Sequence, residues 1–118
     1  VQKTVLIVED EFLIAMDLVR MVEGDGWRII GPVATVQDAL RLLEAELPLV
    51  AMLDVNLGKE LVTPVAERLK AQNVPFAVAS AYDKPESHGG DVLAGVPNVG
   101  KPASERRLLA TLKQLTES

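Results

Sequence analysis

Leu49-Val50-Ala51-Met52-Leu53-Asp54-Val55-Asn56-Leu57-Gly58 is the stretch on which the fold turns. Its first five residues are apolar without a break, and the run stops at a carboxylate. Asn56 and Gly58, both turn formers, follow closely. A strand with water on one face alternates apolar and polar residues, whereas a strand covered on both faces does not. Leu49 to Asp54 therefore reads as a buried strand of a parallel sheet, with Asp54 at its carboxyl end. A carboxylate held there can coordinate a cation or act as a nucleophile.

The same punctuation recurs on either side. Val5-Leu6-Ile7-Val8 makes Lys3 to Glu9 a first buried strand. Asp10 is placed to cap a helix over Glu11 to Glu23, which Gly24 and Gly26 stop. Trp27 to Val33 is a second strand, closed by Gly31-Pro32. Thr35 fits as the N-cap of a helix from Val36 to Glu46, whose apolar positions Val36, Ala39, Leu40, Leu43 and Leu47 recur at helical spacing until Pro48. Beyond the central strand, Leu61 to Gln72 reads as a helix with Pro64 near its first turn. Asn73 and Pro75 lead into a fourth strand, Phe76 to Ser80. Asp83 to Gly95 carries Lys84-Pro85 and Gly89-Gly90, so at most a short, irregular and mobile helix is expected there. Val96 to Gly100 is a short fifth strand, placed at a sheet edge because Pro97 has no N–H for a ladder. Ala103 to Leu115 closes the chain as a helix with Leu108, Leu109, Leu112 and Leu115 inward.

Strands alternating with helices predict an α/β fold, doubly wound around a five-stranded parallel sheet with right-handed crossovers. The length of 118 residues suits one domain over residues 1–118. With 48% hydrophobic residues but only 3% aromatics, the core must be aliphatic. The absence of cysteine excludes disulfides and thiolate metal sites, and one histidine, His88, excludes a histidine cluster. A net charge of −5 argues against a nucleic-acid backbone as direct partner. No apolar run has the length of a membrane span, and no signal-peptide pattern opens the sequence, so a cytoplasmic protein is expected.

In doubly wound sheets, ligands sit outside the carboxyl ends of the strands. Glu9, Asp10, Asp54, Ser80 and Lys101 all fall at such ends. Taken singly, Asp10 is a helix cap, Ser80 a turn hydroxyl and Lys101 a solvated charge. Together they have a shared chemistry. Packed carboxylates repel one another, and an oxygen-only set suits Mg2+. Asp54 could then attack phosphorus in line, with Lys101 and the Ser80 hydroxyl meeting the transferred oxygens.

Val5-Leu6-Ile7-Val8-Glu9-Asp10-Glu11, Leu53-Asp54-Val55-Asn56, Ala79-Ser80-Ala81-Tyr82 and Gly100-Lys101-Pro102 together resemble a response-regulator receiver domain, over essentially the whole chain and in order. The resemblance implies a flavodoxin-like (CheY-like) sheet of order 2-1-3-4-5. It implies Asp54 as phosphoacceptor, Glu9 and Asp10 as the acids around Mg2+, and the Asn56 backbone carbonyl as a further ligand. Ser80 would be the switch hydroxyl, and Lys101 the conserved-type lysine before a cis Pro102 peptide. The expected partner is a histidine kinase or a histidine phosphotransfer protein, with homodimerisation left open. Phe76 to Tyr82 and the Gly-rich segment after it look most like the single-domain alphaproteobacterial subgroup named for a Phe-Ala-Thr-Gly-Tyr-type motif. The chain departs from these patterns in three places. Asn98 stands where receivers often carry an aromatic switch residue, Ser80-Ala81 replaces Thr-Gly, and the fourth helix is eroded.

The first helix is apolar nearly all round. Ile14, Leu18, Met21 and Val22 form one stripe, leaving Phe12, Leu13, Met16 and Val19 over. Phe12, Leu13 and Met16 are accordingly expected to dock a partner helix. Tyr82 is placed either to gate water at the acceptor or to pack on its loop, and His88, among glycines, to be solvated. Two other functions compete with the receiver reading. A pseudo-receiver would only bind partners. A Mg2+-dependent aspartyl-phosphate phosphohydrolase needs a second acid two residues after the nucleophile, where this chain has Asn56. A nucleotide-binding domain would need a Gly-x-Gly-x-x-Gly or Walker-type loop, which the sequence lacks.

Overall fold

A computed structural model describes residues 2–117, so the two ends of the expected 1–118 domain lie outside the described residues. Its elements are β1 (Thr4–Val8), α1 (Phe12–Glu23), β2 (Arg28–Val33), α2 (Val36–Ala45), β3 (Val50–Leu53), a hairpin of β4 (Asn56–Leu57) and β5 (Glu60–Leu61), α3 (Thr63–Ala71), β6 (Phe76–Val78), α4 (Glu86–Gly89), a 3-10 turn (Asp91–Leu93) and α5 (Glu105–Thr116). The main sheet is parallel, with order β2-β1-β3-β6. This is the α/β architecture expected, and it explains the unbroken apolar runs. Along β1, Leu6 and Val8 enter one core cluster with Leu43, Val65 and Leu69 from α2 and α3. Val5 and Ile7 enter the other, with Leu18, Val22, Leu108 and Leu112 from α1 and α5. Both faces of the strand are dry, so both parities must be apolar. Among the described residues no helix is long and apolar enough to cross a membrane.

Four differences from expectation have local causes. The fifth strand is reduced to one parallel bridge, Val78 to Asn98, beside β6. Val78 N–H donates to the Pro97 carbonyl at 2.9 Å and Val99 N–H to the Val78 carbonyl at 2.9 Å, but Pro97 itself has no N–H to extend the ladder. Four strands therefore follow the expected order, and the fifth segment lies at the expected edge without being a strand. Second, residues 56–61 form a hairpin rather than leading into a helix, because Gly58 takes φ 65° at its turn. Helix α3 begins later, with Pro64 in its first turn as expected. Third, Asp10 does not cap α1. The N-cap is Glu11, whose N–H donates to Glu9 Oε2 at 3.1 Å. Fourth, the buried stripe of α1 is Ala15, Leu18 and Val22. Val19 packs on the core with Met21, whereas Ile14 is only half-buried.

Other expectations hold. Thr35 Oγ1 accepts from the Asp38 N–H at 3.1 Å, capping α2. Val36 N–H donates to Glu60 Oε1 at 2.8 Å, so the hairpin is tied to the start of α2. Residues 83–95 hold only the four-residue α4 and the 3-10 turn. The Lys101-Pro102 peptide is cis.

Candidate functional site

β1 and β3 run in register, Val8 opposite Leu53, and Asp54 N–H donates to the Val8 carbonyl at 2.9 Å. The residues just past these strand ends, Glu9 and Asp54, are thereby set side by side. Glu9, Asp54 and Ser80 are buried, Glu9 to 3% exposure. Burying a carboxylate is costly unless something charged compensates it. Asp10 is exposed, yet Glu9, Asp10 and Asp54 each present an oxygen within 4.8 Å of the others.

Lys101 reaches this cluster from the far edge of the sheet. Its Nζ lies 3.2 Å from Asp54 Oδ2, 3.6 Å from Glu9 Oε1 and 3.5 Å from Glu11 Oε2. Its side chain is 23% exposed, so these contacts are partly shielded from water. Burial opposes its charge, but Asp54 and Glu9 outweigh that and raise its pKa. Burial is also what pushes Glu9 up to about 8, with the neighbouring Asp54 adding to the rise and the Glu11 amide and Lys101 opposing it. Burial likewise raises Asp54, against the pull of Lys101. One ammonium thus faces several acids and does not satisfy them all. Glu9 Oε1 is buried with no hydrogen-bond partner. An all-oxygen donor set with an orphaned buried oxygen and excess negative charge fits a hard divalent cation such as Mg2+. Glu9, Asp10 and Asp54 are the residues that could hold it.

The hollow above Asp54 has a volume of about 310 Å³ and is lined by Asp10, Glu11, Asn56, Ser80, Tyr82 and Lys101 among others. A larger cavity of about 520 Å³ lies by Trp27 and α5, but its charges include the Lys3–Asp25 ion pair and no cluster of acids converges there. Chemistry rather than volume picks out the hollow above Asp54.

All five sequence-predicted strand-end residues therefore meet, with Asn56 on the same rim. Phe12 and Leu13 do not join them in the hollow; they stand exposed on α1 at 72% and 79%, with Met16 half-buried. Tyr82 stands at the acceptor, lining the hollow, with its ring packed against the core rather than free. Its hydroxyl accepts from Asn56 Nδ2 at 2.6 Å. His88, expected to be simply solvated, stacks on the Tyr82 ring at 3.6 Å between centroids, though it remains exposed. Two residues have contacts in the site that the sequence reading did not assign them. Glu11 reaches Lys101, which the string of acids Glu9-Asp10-Glu11 could have signalled. Asn98 Oδ1 accepts from Ser80 N–H at 3.0 Å and from Gly100 N–H at 2.9 Å, and its Nδ2 donates to the Tyr82 carbonyl at 3.1 Å. The Asn-x-Gly spacing of an Asx-turn was the available signal.

No protein-family model matches the chain. The crystal structure of the response regulator PhyR from Brucella abortus superposes with a TM-score of 0.81 at 31% identity, over 98% of this chain and 48% of that one. The solution structure of the BeF3-activated conformation of SdrG from Pseudomonas melonis Fr1 superposes with a TM-score of 0.79 at 36% identity, over 98% of this chain and 97% of that one. The chain belongs to the response-regulator receiver family. Among curated relatives, this receiver is 32% identical over 85 residues to the transcriptional regulatory protein PdtaR of Mycobacterium tuberculosis, covering 71% of this chain and 42% of PdtaR. The receiver thus spans less than half the length of that relative. Receivers act in two-component signalling and as a class are switches rather than enzymes.

Proposed function

We propose that residues 1–118 form one receiver domain that accepts a phosphoryl group on Asp54 from a phosphohistidine. The observation that carries this reading is Lys101 Nζ at 3.2 Å from Asp54 Oδ2, with Glu9 and Asp10 beside them. An Asp54 Oδ–P bond forms as the P–N bond to the imidazole breaks. The electron pair stays on that nitrogen, which takes up a proton. Glu9, Asp10, Asp54 and the Asn56 carbonyl would hold Mg2+, which would supply positive charge against the acids' repulsion and toward the phosphoryl oxygens. Lys101 balances charge on the transferred group, and the Ser80 hydroxyl donates to one of its oxygens. The phosphoryl adds roughly one to two negative charges, drawing Lys101 and Ser80 to it and reshaping a partner surface. The domain catalyses only its own phosphorylation and dephosphorylation.

The partner reading is a helical hairpin from a histidine kinase or phosphotransfer protein, docked on Phe12, Leu13 and Met16. Phe12 and Leu13, large apolar side chains exposed on the first turn of α1, support it. Phe76 to Tyr82, which keeps the hydroxyl at Ser80 though Ala81 replaces the glycine, and the short segment after it support placement in the Phe-Ala-Thr-Gly-Tyr-type subgroup. Asn98, in place of an aromatic switch residue, favours a second reading, a pseudo-receiver that binds partners without taking phosphoryl. Incubation with acetyl phosphate and Mg2+ followed by mass spectrometry separates the two. The first requires one added phosphoryl group that is lost in Asp54→Asn. An unlabelled wild type, or a labelled Asp54→Asn, contradicts it.

A further inference from the structure

Ser80 and Lys101 arrive at the hollow from different segments, one after β6 and the other after the Asn98 bridge. The backbone bonds of Val78 with Pro97 and Val99 hold the segments together further back, and beyond them one side chain ties Ser80 to the residue before Lys101. Asn98 Oδ1 accepts from the N–H of Ser80 and from the N–H of Gly100, the residue before Lys101. Two amides on one oxygen cannot move independently without one bond breaking. The Asn98 Nδ2 donates to the Tyr82 carbonyl, pinning the other end of the Ser80 loop. Inside that loop Tyr82 N–H donates to Ser80 Oγ at 3.0 Å, which orients the hydroxyl oxygen. An alanine or an aromatic ring at position 98 offers neither the acceptor nor the donor. Ser80 is buried, so its amide could not turn to water instead.

We propose that Asn98 is a positioning residue that fastens the Ser80 loop to the Lys101 segment, so that hydroxyl and ammonium meet the phosphoryl group as one body. The proposal rests on the reading of Asp54 as phosphoacceptor, and it goes beyond that reading in giving the acceptor site a rigid upper jaw. Asn98 touches neither the acids nor the transferred group in this account; it acts through the two residues that do.

The test uses the full chain with Asn98→Ala and Asn98→Asp, acetyl phosphate as donor, and Mg2+ alone for affinity by calorimetry. Asn98→Ala should slow labelling at saturating donor by about tenfold, since loss of sub-ångström placement acts on the chemical step. Its Mg2+ affinity should stay at the wild-type value, because Glu9, Asp10 and Asp54 are untouched. Asn98→Asp keeps an oxygen for both amides but replaces the donor to Tyr82 with a charged carboxylate oxygen, so its labelling rate should fall between. Amide hydrogen exchange on unlabelled protein reads the clamp by itself. Ser80 and Gly100 should both exchange about tenfold faster in Asn98→Ala, while the Asp54 amide, held by Val8, does not change. Wild-type labelling in Asn98→Ala, or a parallel loss of rate and Mg2+ affinity, overturns the proposal, and so does unchanged exchange at Ser80 and Gly100. A wild-type protein that takes no label defeats the acceptor reading instead, and the exchange result still decides the clamp.

Discussion

Without a divalent cation, the protein should lose stability as pH rises from about 5 to 8, and Glu9 should be the main cause. In the folded state burial raises the Glu9 pKa from 4.5 to about 8. The folded protein therefore binds a proton that the unfolded chain has already released across that window, and stability falls as pH rises through it. At about 1.4 kcal/mol per pH unit, a rise of this size sets a ceiling of about 5 kcal/mol for the loss by pH 8. Glu9 is 3% exposed, so solvent does little to screen the effect. Asp54, also raised by burial, adds a contribution of the same sign. Urea unfolding in EDTA at several pH values measures the slope in wild type, in Glu9→Gln, and in Glu9→Gln/Asp54→Asn. The slope should be steep, then smaller, then nearly flat. Mg2+ at a hundred times its Kd should restore about 2.7 kcal/mol, most visibly at the alkaline end where Glu9 must ionise. A Glu9→Gln slope equal to wild type would refute the argument, because Glu9 would then carry no burial penalty.

The remaining predictions concern Lys101, α1 and α2. Lys101→Ala should slow labelling of Asp54 by acetyl phosphate about a hundredfold, the order found when one charge-stabilising donor is removed. Calorimetry on the same variant should show tighter Mg2+ binding, since a positive charge has left the acids. Phe12→Ala and Met16→Ala should slow phosphotransfer from a phosphohistidine partner while leaving labelling by acetyl phosphate intact. Phe12→Ala should alter stability by less than about 0.5 kcal/mol, as its side chain is largely exposed. Thr35→Ala should cost about 1 kcal/mol in chemical denaturation through loss of the α2 cap.

What the sequence made legible was the placement of strand ends. Unbroken apolar runs mark strands dry on both faces, and the residue after each run is fixed by the sheet before any side chain chooses a partner. That is why Glu9 and Asp54 were legible as neighbours, whereas Lys101 follows a Pro97-interrupted segment that makes only one bridge to the sheet. Features set by competition between close alternatives were not legible. Leu61 suits a helix or a strand, and only the left-handed turn at Gly58 makes it the end of a hairpin. Asp10 and Glu9 both stand near the start of α1. The buried Glu9 carries one of its oxygens to the Glu11 amide, leaving Asp10 at the rim of the hollow. Asn98 was read as the loss of an aromatic ring. Only its bond to Gly100 is local, as the Asn-x-Gly spacing signals; the other two depend on Ser80 and Tyr82, close in space but distant in sequence, and no local pattern reports those.

The central claim is that Asp54 receives phosphoryl in a pocket completed by Glu9, Asp10 and Lys101. Borohydride reduction of the labelled protein, followed by peptide sequencing, tests it most directly, because an aspartyl phosphate is reduced to homoserine where it stood. The account predicts homoserine at position 54 alone, and only when Mg2+ was present during labelling. Homoserine at another acid, or at position 54 irrespective of Mg2+, would contradict it.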